Sequence, residues 1–273
     1  MNTDMRKSAV LICVYKGDNL DDFKSSIDSI VSNSSHELRI YVHVDGSIQS
    51  NLIDYIDNNP NIYKIVQSDN NIGLAKGLNK LIDNLEDEEF VFRMDADDIV
   101  VNRRFDIQKD YMINNPEVDF CGGEIKEFEG TIDNVTFHRV YPLKMEDIVN
   151  KICTASPFAH VTICFRRHVF EKYGSYPESY PYNEDISYWL KLLRSGAVGS
   201  NLSQVLCLVR MDGAYERRTS KKAWPEFRVY FSACLWRKKF PFKPVVRLVF
   251  RFLPTKFVSY VYRSKLRNFV VKS

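Results

Sequence analysis

Residues 90–98 read Phe90-Val91-Phe92-Arg93-Met94-Asp95-Ala96-Asp97-Asp98: an apolar, strand-forming run that ends directly in three carboxylates within four positions. Like charges crowded this closely disfavour ionisation unless a cation neutralises them. A hard divalent ion that keeps positions open for phosphate oxygens needs one or two carboxylates held at a sheet edge, and Asp-x-Asp supplies that arrangement. Taken alone the string reads more readily as a capped loop with solvated Asp side chains. Its place in the chain reverses that reading.

Upstream, Ala9–Tyr15 is a continuous apolar run bounded by Lys16-Gly17-Asp18, which predicts a strand buried on both faces. Leu20, Phe23, Ile27, Ile30 and Val31 recur at helical spacing after an Asp18 or Asn19 cap. Strands are expected at Leu38–Val44, Tyr63–Val66 and Phe90–Met94, with helices at Leu52–Ile56 and Leu74–Leu85 between them. Strand and helix taking turns predict an α/β fold, a parallel sheet covered by helices, with ligands beyond the carboxyl ends of the strands. The acidic run closes the fourth strand, where ligands collect. From Asp119 the pattern turns mixed, with extended pieces at Asp119–Cys121, Thr136–Tyr141, Val161–Phe165 and Val205–Arg210 and helices near Met145–Cys153 and Asp185–Ser195. No repeat or Pro/Gly/Ser-rich linker separates the halves, so one catalytic body over residues 1–220 and a tail over 221–273 are expected.

The chain has 273 residues, and 45% apolar content is enough for a substantial core. A net charge of +3 excludes both a bulk polycation that holds nucleic acid through total charge and an acidic disordered chain. The charge is unevenly spread: no acidic residue follows Glu226, whereas residues 227–273 carry twelve Lys/Arg, leaving 26 basic against 35 acidic residues in 1–226. Six scattered cysteines without C-x-x-C spacing predict reduced, buried thiols and no structural zinc. The polar Met1–Ser8 segment and the apolar run behind it lack the form of a signal peptide, which points to the cytoplasm.

Other motifs carry chemistry of their own. Asp45, at the tip of the second strand in Val44-Asp45-Gly46, suits either a pyrimidine N–H or a turn cap, and Tyr15 suits either base stacking or core packing. Asn71-Ile72-Gly73-Leu74 opens a helix whose N–H groups and dipole suit a diphosphate, with Lys76 as a nearby cation. Glu184 and Asp185 begin an amphipathic helix and are either first-turn helix stabilisers or catalytic acids. His160, ahead of an apolar stretch, is more often a satisfied structural residue than a ligand. Trp189 on a helix face is more often core than a sugar platform, and Arg217-Arg218 is ordinarily a solvated pair.

In joint occurrence and order, these motifs resemble the inverting nucleotide-sugar glycosyltransferases of family 2, whose fold is called GT-A, over residues 8 to about 220. Arg93–Asp98, Asn115-Pro116, Gly122-Gly123, Pro157-Phe158-Ala159-His160 and Arg217-Arg218 are similar in particular to bacterial exopolysaccharide and O-antigen transferases, such as the amylovoran biosynthesis glycosyltransferase. The resemblance implies a Rossmann-like mixed sheet flanked by helices and a set of roles. Val14, Tyr15, Asp45, Asn71, Gly73, Lys76 and Asp95 would bind a UDP-sugar donor, and Arg217 and Arg218 would grip diphosphate. Asp97, with Asp95, would hold Mn²⁺ or Mg²⁺, and Asp212 stands where the family often has a metal-binding His. Asp185 would be the base, Glu184 would orient acceptor or metal, and His160 and Trp189 would face the acceptor. The reaction implied is transfer of one hexose, galactose or glucose, from UDP to a polyprenyl-diphosphate-linked saccharide. The Gln-x-x-Arg-Trp motif of processive synthases is absent, which argues for one sugar per encounter.

Two rivals make different demands. A sugar nucleotidyltransferase wants a Gly-rich phosphate loop after the first strand, and Lys16-Gly17-Asp18-Asn19 is not one. A catalytically silent module that binds nucleotide sugar or glycan would transfer nothing. The tail interleaves Lys/Arg with Phe, Tyr and Trp in short helical pieces cut by Pro241, Pro244 and Pro254, too short to span a bilayer. It suits the anionic inner face of a cell membrane, as a peripheral attachment; the alternative is a helical pair packed on the body. RNA is the poorer partner, because no recognition module accompanies the charge.

Overall fold

The apolar run near the front of the chain forms β1 (Ser8–Tyr15). In this computed structural model, which describes residues 6–180, 182–212 and 223–252, Ala9 and Leu11 enter one core while Val10, Ile12 and Val14 enter another. A strand between two apolar layers has no polar face, which is why the run is unbroken. The chain continues through α1 (Leu20–Ser32), β2 (Leu38–Asp45), α2 (Ser50–Asn58), β3 (Ile62–Ser68), α3 (Leu74–Asp83) and β4 (Phe90–Met94). Asn19 caps α1 by accepting from the Asp22 N–H at 2.9 Å. Asp18 instead accepts from the Tyr15 N–H, closing the turn after β1.

These strands pair in parallel in the order β3-β2-β1-β4. With β2 on one side of β1 and β4 on the other, β1 is the switch point at which open α/β sheets bind ligands. The register sets Tyr15 beside Asp45 and Met94 beside Ile12, so three strands deliver their ends, and the acidic run that follows β4, to one edge.

The second half comprises β5 (Ile99–Val100), α4 (Arg104–Asn114), β6 (Phe120–Phe128), β7 (Val135–Arg139), α5 (Met145–Lys151), a 3-10 turn at His160–Thr162, β8 (Cys164–Arg166), α6 (His168–Tyr173), α7 (Glu184–Arg194), β9 (Gly199–Arg210), α8 (Ala223–Trp236) and α9 (Phe242–Arg251). It extends the sheet as β4-β8-β6-β9-β5, with β8 antiparallel to β4 and β6, and β7 pairs antiparallel with β6. The mixed sheet flanked by helices is the GT-A architecture.

Three local expectations need correction. Val161 and Thr162 are not extended; the Thr162 hydroxyl bonds back to the Ala159 carbonyl and the strand begins only at Cys164. Helix α4 has no counterpart in the sequence reading because its inward face is polar: Arg104, Gln108 and Lys109 are buried with Phe105 and Met112. Arg104 donates to the Arg93 carbonyl at 2.9 Å and Gln108 to the Thr162 carbonyl at 2.8 Å, satisfying strand-end groups that water cannot reach. Finally, α8 lies beyond the expected boundary at residue 220, yet Val229, Tyr230, Ala233 and Cys234 join the same core as Leu11, Phe120 and Trp189. Among the described residues no helix is long and apolar enough to cross a membrane.

Candidate active site

Immediately after β4 the chain turns, and Arg93, 4% exposed, meets the Asp95 carboxylate with both terminal nitrogens, one of them at 2.6 Å. A bidentate guanidinium is the cation that permits this crowding. Asp98 is buried and accepts from the Arg210 N–H at 2.8 Å. Burial, reinforced by the charges of Asp95 and Asp97, pushes its carboxyl well above the ordinary range against that bond. Arg210 ties the corner together: its guanidinium donates to the Asp97 carbonyl, pairs with Asp22 of α1 at 2.8 Å and with Asp212 at 3.2 Å, and lies over the Phe128 ring. The Asp212 carboxylate also accepts from the Gly130 N–H at 3.0 Å. Asp95 and Asp212 are therefore engaged by arginines, and among the described residues no group of three metal-ligating side chains is assembled. Asp97, expected with Asp95 and Asp212 to hold a metal, is half-buried in the turn after β4. One carboxylate with diphosphate oxygens is a donor set that fits a hard divalent ion.

The edge expected to meet the donor is shaped by Asp45 and Gly46. Asp45 is buried, and its two oxygens accept from the Ile72 N–H at 2.7 Å and the Gly73 N–H at 3.0 Å. It thereby fixes the turn that opens α3. Gly46 has φ +79°, and a Cβ there would lie 2.8 Å from the Asn71 backbone nitrogen, so a side chain would drive this turn away. Asn71 and Lys76 are exposed at the start of α3, and Gly73 is its N-cap with open space above it. Tyr15 is 38% exposed, with its ring folded over Gly17. Val14 requires correction as a donor residue: its side chain lies wholly in the core, leaving only its backbone for contact.

Across from the acidic corner, Glu184 and Asp185 open α7 and are half-buried. Burial pushes the Asp185 carboxyl up, and the Glu226 charge adds to this, while the Ile186 N–H and the Arg93 guanidinium oppose it. His160 shares its Nε2 with the Tyr176 hydroxyl at 2.9 Å; burial and then Arg93 hold the ring well below its usual pKa, so it is neutral. The field of one buried guanidinium thus reaches Asp95, Tyr176, His160 and Asp185. The guanidinium that meets Asp95 after β4 is thus within electrostatic reach of the start of α7. Asn79 of α3 is tied to the Tyr176 backbone by paired bonds at 2.9 and 3.0 Å. Trp189 must be withdrawn as an acceptor platform: it is fully buried, stacked on Phe120 at 5.7 Å and on Phe165 at 6.0 Å. Arg217 and Arg218 lie outside the described residues.

Sequence reasoning quoted Arg93 within its motif but gave no role to Arg93, Arg104 or Arg210, three cations that organise the site. The available signal was a lone arginine inside an apolar strand, which needs a buried partner. Arg93→Leu leaves Asp95 without its cation. Because the Asp95 side chain is 38% exposed, the loss expected in urea unfolding is about 2 kcal/mol rather than the larger cost of a fully buried pair. Adding Asp95→Asn should recover part of it, a coupling that a double-mutant cycle measures.

Four likenesses bear on this arrangement. Residues 9–174 match the profile of the family described as Glycosyl transferase family 2. An Escherichia coli UDP-Gal:alpha-D-GlcNAc-diphosphoundecaprenol beta-1,3-galactosyltransferase is 27% identical over 99% of this chain and 100% of its own length. The amylovoran biosynthesis glycosyltransferase AmsE of Erwinia amylovora is 27% identical over 94% of this chain and 98% of its own. Among solved structures, S. aureus TarS 1–349 in complex with UDP-GlcNAc superposes with a TM-score of 0.61 at 18% identity, covering 97% of this chain and 76% of that one, a likeness of fold. With the motifs, the sheet order and the family match in agreement, the chain belongs to glycosyl transferase family 2: it is a glycosyltransferase of the GT-A fold, related to galactosyltransferases of lipid-linked saccharides and to exopolysaccharide transferases.

Proposed function

We propose that the protein is an inverting hexosyltransferase that moves one galactose or glucose from UDP to a saccharide carried on a polyprenyl diphosphate, in the assembly of an O-antigen or exopolysaccharide. The observation that carries this reading is an acidic corner after β4 and a raised-pKa carboxyl, Asp185, that are both within reach of the Arg93 guanidinium. The hexose and the acceptor class follow the name of the full-length E. coli relative.

In this mechanism the uracil stacks on Tyr15 and meets the Asp45 edge, and the free N–H groups at the start of α3, with Lys76, attract the diphosphate. Asp97 would hold Mn²⁺ or Mg²⁺, which supplies neutralisation of the charge that develops on departing UDP. Asp95, fixed by Arg93, contributes orientation rather than net charge. The acceptor hydroxyl lies against Asp185, which takes its proton as the oxygen attacks the anomeric carbon opposite the leaving group. Attack from the opposite face inverts the configuration. Asp185 then returns the proton to water. His160, neutral and bonded to Tyr176, shapes the acceptor side without exchanging protons near pH 7.

The deciding experiment offers UDP-hexoses and a synthetic diphosphate-lipid saccharide, with Mn²⁺ or Mg²⁺, and reads the product by mass spectrometry and anomeric NMR. An acceptor heavier by one hexose, with inverted configuration, is expected. Formation of UTP and hexose 1-phosphate when pyrophosphate is added would point to a nucleotidyltransferase, and binding without transfer would point to a silent module.

A further inference from the structure

Helix α9 is turned the opposite way from an ordinary surface helix. Phe242, Val245, Val246 and Val249 recur at the spacing of one helical face, and all four are exposed, followed by exposed Phe252. The inward face carries Pro244 and Arg247. Arg247 pairs with Glu226 of α8 at 3.1 Å, donates to the Thr154 carbonyl at 2.7 Å and lies 4.8 Å from the Tyr230 ring centre. This anchorage fixes the rotation of α9 and, among the described residues, leaves its apolar stripe exposed. An exposed, contiguous apolar stripe of this kind marks a docking surface.

We propose that this face of α9 inserts shallowly into an anionic lipid bilayer. Charge selects that occupant. Lys238 and Lys243 are exposed beside the stripe, Lys239 is exposed and donates to the Asn150 Oδ1 at 2.8 Å, and no acidic residue follows Glu226, itself turned inward onto Arg247. A second copy of the chain docked face to face would bring these lysines together, and the segment after Glu226 offers no carboxylate to receive them, an arrangement that like-charge repulsion disfavours. Apolar side chains flanked by cations match the boundary between acyl chains and anionic headgroups. The inference deepens the transfer reading, since it sets the enzyme on the surface where a lipid-borne acceptor lies, and it rests on that reading only for its purpose.

The test uses the full chain without donor or acceptor. Truncation after Ala223 would also strip Val229, Tyr230, Ala233 and Cys234 from the core, so substitutions on the exposed face are the cleaner probe. Wild type and the double variant Val245→Glu/Val249→Glu are sedimented with phosphatidylcholine vesicles, with and without phosphatidylglycerol. Thermal melts confirm folding, and Phe242→Ser serves as a second, uncharged variant. Expected are wild-type binding that requires phosphatidylglycerol and weakens with salt, and a partition about tenfold lower or more in the double variant. Wild type that stays in solution, variants that bind as well as wild type, or a wild-type dimer that the variants dissociate would each overturn the proposal. Transfer to a short water-soluble acceptor is assayed in parallel: vesicle binding without transfer would refute the transfer reading alone, and transfer without vesicle binding would refute this one alone.

Discussion

Asp185→Asn is expected to lower turnover by about 10²–10⁴-fold, the usual contribution of a positioned general base, while UDP affinity stays within about twofold. The amide keeps the shape of the helix start and loses the ability to take a proton. The pH profile supplies an independent check. Burial raises the Asp185 carboxyl above the ordinary aspartate value, so wild-type turnover should fall as pH drops through a pKa higher than that of a solvated aspartate. Arg93→Leu removes one of the groups that hold this carboxyl down, and should move the acid limb to still higher pH. The stability sign runs opposite to activity. A carboxyl whose folded pKa is raised binds its proton more tightly folded than unfolded, so its contribution is present at low pH and is lost as pH rises past the unfolded value. Asp185→Asn should therefore unfold no more easily at neutral pH than wild type. Retention of wild-type turnover by the variant would show that another group is the base.

Asp97→Ala is the counterpart on the donor side. Losing the charge stabilisation that a divalent ion supplies to departing UDP is worth several kcal/mol, so turnover should fall about a thousandfold or more, and the dependence of UDP affinity on added Mn²⁺ should disappear. Calorimetric titration of UDP with and without Mn²⁺ separates this from simple unfolding. Asp212→Ala, at a carboxylate engaged by Arg210 and the Gly130 N–H, should leave the Mn²⁺ dependence in place and reduce thermal stability modestly. A metal response lost in Asp212→Ala and kept in Asp97→Ala would reverse these roles.

The parallel half was legible because its strands are buried on both sides and its helices on one: a strand such as β1 must be apolar throughout, and α1 must show its stripe. The weaker half was harder to read for a stated cause. Helix α4 buries Arg104, Gln108 and Lys109, and its polar inward face erases the periodicity on which helix recognition depends. The strand expected from Val161 is partly a turn, closed by a threonine bond that composition does not announce. Trp189 shows the complementary error, since an aromatic on a helix face is readable but the direction of that face is not.

Local sequence determined the family, the strand that ends in carboxylates, the turn at Gly46 and the acids that open α7, because each depends on neighbours within a few residues and on the periodicity of burial. Only the tertiary structure decided that Arg93 reaches Asp185, that Arg210 draws in Asp22, and that α9 carries its apolar side outward. Those outcomes depend on charges and faces brought together from distant parts of the chain. Pairing and orientation at that range follow from how the sheet and its helices pack, and spacing along the sequence carries no record of them.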